Sequence, residues 1–278
     1  MTQSHMQLAL AGLVVLSGCA PALSTMTPAE TTPARHVRGS VGIGVSVPTG
    51  TLGTLFGDAE DLAHRAVARE MLTDAQKRTL ISDTAAILFN PPSVSFEVQG
   101  RYGISRRFDV GFRFATGALR LDGRFLALPP DNGRIGISVG IGLGYYALEI
   151  PVPSPLDEII EIDDFTRYEI DLPLLAGWTW RFGHLWFGPK LVYTHYSTAM
   201  RATFPFDSSM LSADVGGSSF YYGAQIGGAV GYRYVWLAAE LSLMGVTGSA
   251  TLEGFGEKLD VSFGDFVLYP AVALLVQF

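Results

Sequence analysis

The chain has 278 residues, 48% of them apolar and 16% charged, with 32 glycines and a formal net charge of −7. The negative balance argues against a nucleic-acid partner, and a single cysteine excludes an internal disulfide. After the first 16 residues no apolar run approaches the roughly 20 that a spanning helix needs, so the apolarity points to strands whose outer faces meet lipid.

Residues 8–16 form an apolar stretch of signal-peptide length, too short to cross a bilayer. The stretch ends in Leu16, Ser17, Gly18 and Cys19, which resembles the lipobox of bacterial lipoproteins. That resemblance implies cleavage before Cys19 and a diacylglycerol on its thiol. Ala20 follows, where an aspartate would retain an enterobacterial lipoprotein in the inner membrane. Residues 20–36 are rich in Pro, Thr and Ala and read as a flexible tether. The expected division is 1–18 signal peptide, 19–36 tether and 37–278 barrel.

Ten alternating stretches follow. Residues 37–47 set Val41, Ile43, Val45 and Val47 against Arg38, Ser40, Gly42 and Gly44. Residues 94–102 set Phe96, Val98 and Tyr102 against Glu97, Gln99 and Arg101. A turn at 103–106 leads to Phe108, Val110, Phe112 and Phe114, which oppose Asp109 and Arg113. Residues 118–127 carry Arg120, Asp122 and Arg124 on one face. Residues 134–148 alternate aliphatics with Gly136, Gly140, Gly142 and Gly144, and 165–181 set Tyr168, Leu172 and Trp178 against Glu169 and Asp171. Stretches 184–197, 218–233, 235–247 and 263–278 complete the set.

With the first strand starting in the periplasm, even-numbered connections must be short, as they are at 103–106, 128–133, 182–183 and Tyr234. Odd-numbered ones at 48–93, 149–164, 198–217 and 248–262 are longer, and only 116–117 is short on that side. The first connection also carries helical signals over 58–90. Asp58 caps 59–71 with Glu60 and Asp61 behind it. Thr73 and Gln76 form a capping box, followed by an apolar stripe of Leu80, Ile81, Ala85 and Leu88. The expected fold is all-β: a closed antiparallel transmembrane β-barrel of about ten strands, with a helical insertion in the first extracellular loop.

The final strand ends with Leu274, Val276 and terminal Phe278 at alternate positions. It resembles the C-terminal signal of bacterial outer-membrane β-barrel proteins, in their small porin-like class. The resemblance covers residues 37–278. It implies the bacterial outer membrane, both termini periplasmic, recognition by the barrel-assembly machinery, and contact with outer-membrane lipid and lipopolysaccharide. Tyr102, Phe108, Trp180, Phe182, Trp186, Tyr232, Tyr234, Trp236 and Phe278 all fall at periplasmic strand ends, as an interfacial girdle would.

Inward positions hold both signs: Glu97, Asp109, Asp122, Glu169, Asp171 and Glu240, with Arg101, Arg113, Arg120, Arg124, Arg181, Lys190 and Arg233. In a modest bore such charges form a self-satisfied ladder, while the inward glycines leave a constricted channel open as an alternative. His195 sits near the outer rim, and Asp163, Asp164 and Asp214 can approach it. However, the paired-acid and Asp-x-His spacings of omptin proteases are missing, so no catalytic residue is assigned. The acidic run Asp157, Glu158, Glu161, Asp163 and Asp164 lacks the spacing of a calcium loop, and no cofactor or metal is expected. The expected function is non-enzymatic, a structural, binding or interaction role at the cell surface. A narrow pore for small polar solutes is the alternative, and a surface hydrolase the third reading.

Overall fold

The computed structural model describes residues 20–49, 73, 92–115, 117–130, 135–146, 160–203, 210–254 and 257–278. Ten strands follow in order: β1 (Val37–Pro48), β2 (Ser93–Gly103), β3 (Phe108–Ala115), β4 (Ala118–Leu128), β5 (Gly136–Tyr146), β6 (Ile160–Trp180), β7 (Gly183–Thr203), β8 (Met210–Tyr232), β9 (Val235–Gly254) and β10 (Glu257–Gln277). Each pairs antiparallel with its sequence neighbours, and β1 pairs with β10, so the sheet is a closed barrel. Closure leaves no edge of unpaired backbone groups, the condition for a sheet surrounded by hydrocarbon. Except for Thr73, the helical insertion expected over 58–90 lies outside the described residues.

Apart from register shifts at Leu126/Leu128 and Asp163/Thr166, side chains alternate between two environments. Leu121, Leu143 and Leu237 point outward and are 62%, 61% and 64% exposed. Soluble monomers rarely expose contiguous apolar patches beyond a few hundred Å2, whereas here the apolar belt runs around the whole sheet. Tyr102, Phe108, Trp180, Phe182, Tyr232, Tyr234 and Phe278 border it at the end where the two-residue turns lie. Tyr145, Tyr168, Tyr193, Phe220 and Tyr222 border it at the other end. Two members of the expected girdle correct the sequence reading. Trp186 is fully buried on the lumen side, and Trp236 packs against the same buried cluster. The pleat explains it: Leu185 and Phe187, on either side of Trp186, are the outward residues.

The wall is uneven in height. β3 has 8 residues and β1 has 12, whereas β8 has 23 and β9 has 20. About 9–11 residues cross the hydrocarbon core, so β6–β10 rise well beyond it. Much of the expected connections 198–217 and 248–262 is therefore paired strand, from Thr203↔Met210 and Glu257↔Gly254 inward. The sequence pattern fades there for a physical reason. Outside the membrane the outward face needs no apolar residues, and Ser212, Asp214, Thr247 and Ser249 take those exposed positions while the ladder continues.

Candidate functional site

Eleven of the expected inward charges line the lumen, held there by the pleat of β2–β4, β6, β7 and β9. Nearly all are buried, with Asp109 fully enclosed and the Asp122 side chain 13% exposed. They form linked ion pairs. Arg101 bridges Asp109 (2.7 Å) and Asp122, and Arg124 bonds the other oxygen of Asp109 (2.7 Å). Arg113 pairs with Glu97, while Arg120 spans Glu169 (3.1 Å) and Asp171, which also faces Lys190 at 3.4 Å. Charge-assisted bonds of this kind compensate for burial only when each partner stays in place.

Glu240 is different. Among the described residues it makes no ion pair within 4 Å; its Oε2 accepts the Trp186 indole N–H at 2.8 Å and the backbone N–H of Met26 at 2.9 Å. Its Oε1 accepts the N–H of Thr25. These last partners belong to residues 20–36, which the sequence presents as a free tether. The structure corrects that expectation, because the segment rises into the lumen from the short-turn end and fills it. Leu23, Ser24 and Thr32 are fully buried.

The segment lies outside the ten-stranded ladder and is held by wall side chains along its length. At the foot, the Arg35 N–H donates to the Gly103 carbonyl (2.7 Å) and the Thr32 N–H to Asp109 (2.7 Å). Higher up, Arg124 donates to the carbonyls of Pro28 (2.7 Å) and Glu30 (3.3 Å). At mid-height Lys190 donates to the carbonyls of Leu23 (2.9 Å) and Ser24 (3.0 Å), and Arg113 also reaches the Ser24 carbonyl. The Ser24 hydroxyl donates to Glu97 at 2.8 Å, and that of Thr25 to Gln225 at 2.6 Å. The composition misled because it was weighed against water. Ala, Ser, Thr and Pro are slim, three prolines remove donors, and wall side chains take up backbone groups as solvent would, among them the Thr25, Met26 and Thr32 N–H groups and the Leu23, Ser24, Pro28 and Glu30 carbonyls. Leu23 and Met26 add an apolar grip within a cluster that includes Trp186, Tyr221, Met244 and Tyr269.

The inward glycines belong to the same packing. A Cβ on Gly140 would lie 3.1 Å from the Arg124 stem, and one on Gly142 would lie 3.1 Å from that of Arg120. A Cβ on Gly227 would lie 2.4 Å from the Trp186 ring, and one on Gly44 would be as close to Tyr269. The room these glycines leave is thus taken by neighbouring side chains. Beside Thr25, Arg101 and Asp171 a void of about 10 Å3 remains, on the scale of one water.

Other sequence expectations separate here. Arg181 and Arg233 do not enter the lumen. They sit exposed in the two-residue turns, each over the ring next to it, Phe182 at 5.0 Å and Tyr232 at 5.2 Å. Tight turns turn the pleat outward, so parity counted along a strand fails at its last residue. His195 faces outward opposite Ser218, whereas Asp214 lies opposite Ala199, farther up the same strand pair, and Asp163 is engaged by Arg201. The described residues therefore bring none of these acids to His195. Asp157, Glu158 and Cys19 lie outside the described residues, among which no cluster suited to a metal ion occurs. Leu274 and Phe278 point outward, and the Phe278 backbone exchanges two hydrogen bonds with Val37 (2.9 and 3.0 Å). Missed by sequence reasoning were Trp186, Tyr269 and Gln225 as lumen partners, and the N-terminal segment itself. Trp186 was accessible from parity alone.

Fold and lumen define a closed ten-stranded barrel with an apolar exterior and a filled, charged interior. No protein-family model matches the chain, and no curated protein does. Solved structures with a similar fold include the outer membrane protease OmpT from Escherichia coli, at 9% identity and a TM-score of 0.45, covering 92% of this chain and 100% of that one. A major outer membrane protein from Thermus thermophilus is similar at 11% identity and a TM-score of 0.35, covering 87% and 99%. Ail, the attachment invasion locus protein of Yersinia pestis, is similar at 9% identity and a TM-score of 0.31, covering 88% and 99%. Likeness at these values carries neither a family nor an activity.

Proposed function

We propose that this protein is a bacterial outer-membrane barrel with a non-enzymatic structural, binding or interaction role at the cell surface, closed to solute flow by its own N-terminal segment. The apolar belt between two aromatic borders supports the membrane setting. The short turns face the periplasm in this reading, and the tall half of the wall rises from the cell surface among lipopolysaccharide. The observation that carries the closed state is the burial of residues 20–32 in hydrogen bonds to Glu240, Lys190, Arg113, Arg124 and Asp109. A pore for polar solutes needs a continuous wet path, and the void beside the segment has room for about one water. Planar-bilayer recording of the full chain tests this reading. A silent bilayer is the expected result, and steady unitary current steps from the wild type would return the protein to the pore class.

A further inference from the structure

We propose that the lipid-facing surface of β1–β5 carries a binding site for an anionic glycerophospholipid, with an acyl chain along the sheet and the phosphate on a cluster of arginines at its foot. The proposal rests on the membrane orientation given above. The acyl part of the site is a groove of about 670 Å3 across β1–β5. Its exposed lining is almost wholly apolar, flanked by Tyr102, Phe112, Leu121, Ile141 and Leu143.

Two glycines create it. Gly100 and Gly123 take outward positions, Gly100 between Gly39 and Phe112 of the neighbouring strands and Gly123 between Val110 and Ile141. A Cβ on Gly100 would lie 2.5 Å from the Phe112 ring, so that ring lies down across the sheet instead of standing up from it. A Cβ on Gly123 would meet its nearest neighbour, Phe108, only at 3.5 Å. The dent at Gly123 is therefore open. The groove starts at Val37 and Tyr102, the short-turn ends of β1 and β2, and climbs to Leu121 and Leu143. This is the course of an extended chain entering from the interface and running toward the bilayer midplane.

The headgroup part lies where the groove begins. Arg35, His36, Arg106 and Arg107 are all exposed at this end. The backbones of Arg35, His36 and Arg107 are tied to the ends of β2 and β4 beside it: Arg35 N–H to the Gly103 carbonyl (2.7 Å), Gly103 N–H to the His36 carbonyl (3.1 Å), and Leu126 N–H to the Arg107 carbonyl (2.8 Å). Three guanidinium groups at the membrane surface attract a phosphate, and juxtamembrane basic residues each strengthen anionic-lipid binding severalfold. Apolar groove and basic foot are independent features, and together they match one amphiphile with a phosphate next to its acyl chains.

Native mass spectrometry of the full chain in detergent, with phosphatidylglycerol and phosphatidylethanolamine in competition, tests the site. The expected result is one retained phosphatidylglycerol per barrel. The double variant Arg106→Ser, Arg107→Ser should hold it about thirtyfold more weakly. Gly123→Leu, which fills the groove without touching the charges, should also release it while the barrel keeps its folded mobility on cold gels. Equal retention of the two lipids, no loss in Gly123→Leu, or displacement by lipopolysaccharide at equal concentration would each overturn the proposal. Retention in detergent does not depend on how the barrel sits in a cell, so failure here counts against the site and not against the orientation.

Discussion

Glu240→Ala is the substitution that most directly tests whether the N-terminal segment seals the lumen. The carboxylate accepts three N–H groups, from Thr25, Met26 and the Trp186 indole. A hydrogen bond to a charged group contributes about 1.5–3 kcal/mol net, and an orphaned buried donor costs about 1–3 kcal/mol. Two of the three bonds belong to the segment. Even if water entering the vacated space recovers half of their value, holding the segment weakens by about 1.5–3 kcal/mol. At 1.4 kcal/mol per factor of ten, the fraction of barrels with the segment displaced rises by roughly ten- to a hundredfold. Two assays read this independently. Single-channel recordings should show brief openings in Glu240→Ala that the wild type lacks. A thiol placed by Thr27→Cys should react with a hydrophilic maleimide faster by a comparable factor in the Glu240→Ala background. Unchanged labelling and an unchanged silent bilayer would refute the argument, because among the described residues Glu240 is the acceptor bonded to the Thr25 and Met26 N–H groups.

Three further outcomes are expected. Arg113→Met strips the ion-pair partner from buried Glu97 and a donor from the Ser24 carbonyl, and should lower stability by about 3–5 kcal/mol; a urea midpoint equal to wild type would count against a coupled network. Gly227→Leu puts side-chain atoms where the Trp186 ring lies and should cost about 1–3 kcal/mol, with altered tryptophan fluorescence; an unshifted spectrum and midpoint would show that the ring does not lie across Gly227. Deleting Phe278 removes its stacking on Tyr234 at 6.0 Å and the two backbone bonds to Val37, so less folded barrel should reach the membrane fraction, and wild-type amounts there would remove the C-terminal residue from the assembly signal.

The barrel was legible because lipid on one side and a polar lumen on the other force a period of two, and that period is written in residues such as Phe108, Val110, Phe112 and Phe114. The same period located Glu97, Arg113 and Lys190 in the lumen without a structure. It stopped being informative where one environment ended. Above the membrane the outward side chains turn polar, and residues 213–217 do not announce a strand although they pair throughout with β7 and β9. At the turns it assigned Arg233 inward, whereas a positive φ of 55° at that residue swings it out. The N-terminal segment was illegible for another reason. No periodicity marks a chain that joins no sheet, and its partners are wall side chains up to 219 residues away in sequence, such as Ser242 on the Leu23 carbonyl.

The seam between β1 and β10 joins the two ends of the chain, and the lumenal segment leads directly into β1. A growing sheet that has not yet met its last strand is an open trough, and the segment can be laid into it sideways, group by group. After the seam shuts, the same residues must be drawn endwise past Trp186, Tyr269 and the arginines. Stowing residues 20–36 before the final zippering avoids that endwise passage, so the closed seam and the filled lumen bear on the order of assembly as well as on its end state.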